Sequence, residues 1–224
     1  METEQALVAA GGEGRRFREN GVDVPVAKSY MEIEGRPLLY WCLEAIHEAG
    51  IEEVLLTVED ETRLDHAKEV AEESPYELPS EVILHEDPGL GATGLPYQVR
   101  EHLDDQFFFE FGHHLTQPSH YQEMDEARTR YGEIVVSHYE CENPTDRPEI
   151  NLGGETVILS SPYLLDQRYI QELPRHDFEI DEILFDYLQK GDMETVENTG
   201  PIEPDLPEEF SEAAPEYREI VWSL

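Results

Sequence analysis

Leu7-Val8-Ala9-Ala10-Gly11-Gly12-Glu13-Gly14-Arg15-Arg16 is the stretch on which the fold turns: an apolar run breaks into a glycine cluster and two arginines. Residues 6–10 read as a short buried strand that empties straight into a loop. Glycines at such a strand end let backbone N–H groups turn inward and approach an anion, and an arginine adds a permanent planar cation. No Gly-Lys-Ser/Thr follows, so this is not a P-loop, and the third glycine of a dinucleotide fingerprint is missing at its spacing. On these residues alone two readings stand, an anion cradle and a plain structural turn.

Outward from this strand the chain alternates between the two periods. Pro37 opens a helix that puts Leu39, Cys42, Leu43 and Ile46 on one face, with Gly50 as its C-cap. A buried strand over residues 54–58, an amphipathic helix over 63–72 and a strand over 81–84 follow. Beyond them the spacing predicts a helix over 96–103, an aromatic strand over 107–111, a helix over 119–131 and a strand over 134–139. Residues 150–160 read as a strand interrupted at Gly153-Gly154, 162–173 and 179–189 as helices, and 194–198 as a last edge strand, with a short helix after Pro207. Such alternation requires a mostly parallel sheet with helices on both faces, an α/β fold. A length of 224 residues suits one such domain spanning the whole chain, 1–224.

The 52 acidic and 15 basic residues leave a formal charge of −37, spread along the whole sequence and so a property of the surface. That density points to a salt-rich cytosol, a halophilic setting where ionic strength screens self-repulsion. Regular apolar segments argue against disorder, and no basic face exists to neutralise nucleic-acid phosphates. Cys42 and Cys141 sit in apolar or mixed segments and are expected as buried free thiols. No apolar run approaches the roughly 18 residues a bilayer needs, and nothing before the first strand reads as a signal peptide, so the expectation is a soluble, cytoplasmic protein.

Lys28 follows Pro25 by three residues and precedes Met31-Glu32-Ile33-Glu34-Gly35-Arg36-Pro37-Leu38. In a chain so poor in lysine it is either a phosphate partner of the glycine loop or a solvated loop residue. Together, residues 7–17, Lys28 and Gly35-Arg36-Pro37-Leu38-Leu39 resemble the opening signature of the sugar-1-phosphate nucleotidyltransferases. The resemblance implies a single GT-A-type, Rossmann-like three-layer sandwich around a mostly parallel, mixed sheet. It further implies that the backbone of Ala10, Gly11, Gly12, Glu13 and Gly14 cradles a nucleoside triphosphate. Arg16 and Lys28 would then be the catalytic cations, Arg16 on the triphosphate and Lys28 on the reacting phosphates. Arg15 departs from the family's usual threonine, and Ala27 from the proline that usually precedes the lysine.

Later segments extend the likeness. Pro88-Gly89-Leu90-Gly91-Ala92-Thr93-Gly94 is similar to the family's small-residue loop under base and ribose, which implies nucleotide binding by Gly91, Ala92 and Thr93; His85 replaces the usual upstream glutamine. Phe178-Glu179-Ile180-Asp181 resembles the segment whose glutamate reads sugar hydroxyls, although Glu179 also suits an ordinary first helical turn. Gly154 falls where the family passes backbone beside the sugar, and a β-bulge accounts for it equally well. Asp205-Leu206-Pro207-Glu208-Glu209-Phe210 resembles the late segment whose aspartate binds the catalytic metal.

One departure changes the chemistry. The family's aromatic strand ends in Gly-Asp, whereas this one ends Phe111-Gly112-His113-His114. Mg²⁺ prefers hard oxygen ligands and imidazole suits Mn²⁺, Co²⁺ or Zn²⁺. Either His113 joins Asp205 in an altered divalent-metal site (Mg or Mn in the family), or that site is lost; paired histidines also end ordinary strands. The implied activity is transfer of a nucleoside monophosphate from a triphosphate to a sugar 1-phosphate, releasing pyrophosphate. A catalytically silent GT-A-type domain that binds a nucleotide or sugar nucleotide is the alternative, as is transfer to a non-sugar acceptor.

Overall fold

Gln5-Ala6-Leu7-Val8-Ala9 is buried along its whole length, as befits a strand covered on both faces. The computed structural model describes residues 1–11, 27–74, 81–84, 91–131, 134–140, 149–152, 155–172, 184, 187, 190, 193–199, 215 and 217–224. In chain order the elements are β1 (Gln5–Ala9), a small hairpin of β2 (Glu32–Ile33) and β3 (Arg36–Pro37), α1 (Leu38–Glu48), β4 (Glu53–Val58), α2 (Glu61–Glu73), β5 (Glu81–Leu84) and α3 (Gly91–Gln98). They continue with β6 (Gln106–Phe111), α4 (Pro118–Tyr131), β7 (Val135–Glu140), β8 (Glu149–Leu152), β9 (Glu155–Asp166), α5 (Gln167–Glu172) and β10 (Glu194–Glu197), and residues 217–223 are helical.

The main sheet runs β10-β7-β9-β6-β1-β4-β5, with β8 paired to β9. Among the described strands of this sheet β9 alone runs against the rest, so the sheet is mixed and mostly parallel. Period-2 alternation sorts the side chains between two cores. Ala6 and Val8, Val54 and Leu56, and Phe108 meet α1, α2, α4 and the C-terminal helical segment. Leu7, Leu55, Phe107 and Phe109 face the other way, against Leu95 of α3, Ile170 of α5 and Leu184. Each such Val, Leu, Ile or Phe side chain, fully buried, stabilises by roughly 1.5–3 kcal/mol. The result is the three-layer sandwich expected.

Local signals explain most element ends. Leu39, Cys42, Leu43 and Ile46 of α1 are buried on one face. Gly50 ends that helix at φ +93, a left-handed conformation where any Cβ would be strained. α2 starts two residues before the expected position because the Asp60 side chain accepts from the Arg63 amide at 2.8 Å and caps it. The hairpin of β2 and β3 was not expected; Glu34 and Gly35 form its turn, both at positive φ.

Three expectations need correction. The helix expected over 96–103 begins at Gly91 and carries Pro96 inside it, and the chain then tightens into a single 3-10 turn over Arg100–His102. Pro96 forfeits only a bond to the carbonyl of residue 92, in the first turn, while Leu95 and Val99 keep their four-residue spacing into the core. The strand expected over 150–160 is a hairpin: Leu152 pairs with Glu155 and Ile150 with Val157, with Gly153-Gly154 between them and outside the described residues. The helix expected from Pro162 is instead the second half of β9, and α5 starts only at Gln167. Tyr163, Leu164 and Leu165 pair with Phe109, Phe108 and Phe107, a partnership that overrides local propensity. Ser161 and Pro162 bulge out between the Val136–Tyr163 and Ser137–Ser160 pairs, so the proline is not asked for a ladder bond. Of the helix expected over 179–189, Leu184 and Tyr187 are helical, and the others lie outside the described residues.

Cys42 is buried and free, with burial pushing its thiol well up, and Cys141 lies outside the described residues. No helix among the described residues is long and apolar enough to cross a membrane.

Candidate functional site

Open α/β sheets bind ligands beyond the carboxyl ends of their parallel strands, and three such ends converge here. Ala10 donates to the Thr57 carbonyl at 3.0 Å, and Gly112 donates to the Ala9 carbonyl at 2.9 Å. Gly11 therefore leaves the sheet with the end of β4 on one side and the end of β6 on the other. A Cβ on Gly11 would stand 2.7 Å from Cγ of Glu59, closer than such atoms approach. Glu59 is in turn held by Arg63, 3.2 Å away, which also grips Asp60 at 2.5 Å and so offsets part of the negative charge beside Gly11.

Lys28 arrives from the other side. Ala27 and Lys28 accept from the amides of Tyr30 and Met31 at 2.9 and 3.0 Å, closing one turn of 3-10 helix. Ser29 is buried, and the Tyr30 hydroxyl anchors the turn on the Arg63 carbonyl at 3.1 Å; burial pushes that phenol's pKa up. The Ser29 hydroxyl lies 3.3 Å from where a Gly112 Cβ would be, so the absent side chain lets the Lys28 turn rest on the end of β6.

The structure thus brings Ala10, Gly11, Lys28 and His113 to one edge of the sheet. Gly91, Ala92 and Thr93 form the first turn of α3, not a loop; the unpaired amides of a helix N-terminus suit an anion. Gly12, Glu13, Gly14, Arg16, Gly154, Glu179 and Asp205 lie outside the described residues, as does His85. A cleft of about 280 Å³ between the hairpin and α2 is lined by Glu32, Glu69 and Glu73, whose carboxylates disfavour a phosphate there.

His113 is half-buried, its ring 5.8 Å from Phe111 and edge-on to His114 at 5.1 Å. Among the described residues no group of three or more His, Cys, Asp or Glu side chains is arranged to hold a metal ion. The imidazole of His113 is not the hard oxygen ligand that Mg²⁺ prefers, and suits later first-row ions better.

Sequence reasoning passed over Glu110, a fully buried acid in the aromatic strand β6. One carboxylate oxygen accepts from the Phe111 amide at 2.9 Å and from the Ser161 hydroxyl, and pairs with Nδ1 of His114 at 3.2 Å. The other accepts from Thr116 at 3.1 Å and Tyr121 at 3.0 Å. Burial pushes the carboxyl's pKa up, but the bond and charge of His114, with the bonds from Ser161 and Phe111, outweigh it and leave the group below the usual glutamate value. Since Ser161 gives its proton to Glu110, its oxygen accepts from Nδ1–H of His114 at 2.5 Å. Serine and glutamate meet the same ring nitrogen, so this is not a nucleophilic triad, which needs one at each nitrogen. A lone charge inside Phe107-Phe108-Phe109-Glu110-Phe111 was the signal available in the sequence.

Residues 6–140 match the family described as the MobA-like NTP transferase domain. Over 106 residues the chain is 31% identical to the bifunctional protein GlmU of Acetivibrio thermocellus, an alignment covering 47% of this chain and 20% of that protein. Over 113 residues it is 26% identical to the UTP–glucose-1-phosphate uridylyltransferase AglF of Haloferax volcanii, covering 50% of this chain and 44% of that one. Both alignments span less than half of the relative's length. The inositol-1-phosphate CTP transferase of T. maritima shares the fold at a TM-score of 0.76 and 16% identity, over 98% of this chain and 97% of that one.

Proposed function

Because the chain belongs to the family of MobA-like NTP transferase domains, we propose that it transfers a nucleoside monophosphate from a nucleoside triphosphate to a sugar 1-phosphate. An oxygen of the sugar phosphate attacks the α-phosphorus in line. The new P–O bond forms as the α–β bridging bond breaks, and pyrophosphate leaves with the electron pair. Little covalent chemistry falls to the protein, so catalysis is positioning and charge stabilisation.

The observation that supports this reading is the seating of the Lys28 turn on Gly112, at the strand end whose amide bonds the Ala9 carbonyl. Lys28 clamps the α-phosphate and the sugar phosphate. The amides of Gly11, Gly12, Glu13 and Gly14 cradle the triphosphate, with Arg16 on its developing charge. Gly91, Ala92 and Thr93 support the base, and Gly154 and Glu179 meet the sugar. A divalent ion, held by Asp205 with His113, would supply further charge neutralisation when bound. One observation favours a silent, nucleotide-binding domain instead: a histidine occupies the place of the family's first metal-binding acid.

Pyrophosphate release from the four triphosphates paired with a panel of sugar 1-phosphates and alditol phosphates, with Mg²⁺ or Mn²⁺, decides between them. Release that requires one sugar 1-phosphate is expected. Triphosphate binding with no release from any pair would leave the silent domain standing.

A further inference from the structure

Phe107, Phe108 and Phe109 are what a doubly covered strand calls for, and Glu110 is not. A buried carboxylate survives there because four donors converge on it, the Phe111 amide, Thr116, Tyr121 and Ser161, with Nδ1 of His114 beside it at 3.2 Å. Such a cluster is weak evidence for stability, since an apolar side chain of like volume commonly serves as well. A fully satisfied polar network fixes one geometry instead. What it fixes here is His114, held through Nδ1 by Glu110 and Ser161. The His114 ring meets His113 edge-on at 5.1 Å, and both pack on Phe111, at 5.7 and 5.8 Å.

We propose that Glu110 is a positioning residue: through His114 it fixes the Gly112-His113-His114 corner and so sets where the His113 ring stands at the strand ends. This rests on the nucleotidyltransferase reading. Glu110 is sealed beneath the strand end with both oxygens engaged, so it touches no substrate and acts through the corner alone. The Thr116 and Tyr121 hydroxyls can reverse to accept from an amide, so Glu110→Gln keeps one oxygen toward His114, whereas Glu110→Leu keeps volume and leaves His114 without its acid.

The test compares Glu110→Leu, Glu110→Gln and Ser161→Ala, each alone and in a His113→Ala background, by kcat and by KM for the triphosphate. Glu110→Leu is expected to lower kcat by roughly 10²-fold with KM little changed, as a misplaced group does. Glu110→Gln recovers most of the rate, Ser161→Ala loses less than Glu110→Leu, and in His113→Ala none of them has a further effect. Equal losses with and without His113, or full turnover in both Glu110→Leu and Ser161→Ala, overturn the proposal; should Glu110→Leu fail to fold, Ser161→Ala decides. A parent that turns over no triphosphate sinks the transferase reading instead. Positioning is then judged by the ring-nitrogen resonances of ¹⁵N-histidine protein: those of His113 move in Ser161→Ala and Glu110→Leu and stay near the parent's in Glu110→Gln, and His113 resonances unmoved in Ser161→Ala overturn it.

Discussion

Lys28 opens a single 3-10 turn beside the end of β6, and the role proposed for it is a point charge on the reacting phosphates. Removing such a donor costs about 10²–10³ in turnover, so Lys28→Ala and Arg16→Ala are each expected to fall by that factor. Turnover within threefold of the parent in both would put the phosphates elsewhere. His113 tests the metal. A neutral imidazole in place of a carboxylate favours later first-row ions, so rates with Mn²⁺ or Co²⁺ should exceed those with Mg²⁺. His113→Asp should reverse the preference, and equal rates that the substitution leaves unchanged would show that His113 never meets the ion. His120 carries a pH prediction. Its Nε2 bonds the Ser137 hydroxyl at 2.7 Å, and burial pushes its pKa down to about 4. The unfolded chain takes up that proton near pH 6.5, so the unfolded state binds it first. The resulting stability is complete above that pH and is lost as pH falls toward 4, by up to roughly 3 kcal/mol. Melting curves across this window should drop more steeply for the parent than for His120→Gln; parallel curves would contradict the assignment.

Where β6 ends, three elements meet on a single missing side chain. A Cβ on Gly112 would lie 2.9 Å from Cδ1 of Leu39 on α1 and 3.3 Å from the Ser29 hydroxyl of the Lys28 turn. Gly112→Ala should therefore overpack this junction by about 1–3 kcal/mol and displace Lys28, lowering turnover more than its melting temperature alone explains. Leu39→Val removes the Cδ1 that clashes, so the double variant should recover part of both losses. Additive losses would mean that the Cβ is accommodated elsewhere. α1 itself was legible from the sequence, because its buried face recurs every three or four residues and Gly50 ends it. The hairpin before it was not, since two-residue strands have no period to read.

Across the whole molecule a charge of −37 opposes compaction. The Debye length shrinks from about 10 Å at 0.1 M salt to about 3 Å at 1 M, so the melting temperature should rise from dilute buffer into molar KCl. A flat or falling curve would remove the high-salt reading of the composition. The sequence by itself determined the layered α/β architecture, because buried strands and one-sided helices print their periods locally. It likewise determined where the first strand ends, since Gln5–Ala9 runs into Ala10 and Gly11. Tertiary structure alone decided the course of residues 162–166, which are as apolar as a helix start until β6 and β7 flank them. It also decided what Glu110 does: the acid stands out in the sequence, but Ser161, which holds it, lies 51 residues away. Nothing local encodes that pairing; only the antiparallel return of β9 against β6 brings serine, histidine and glutamate beneath one strand end.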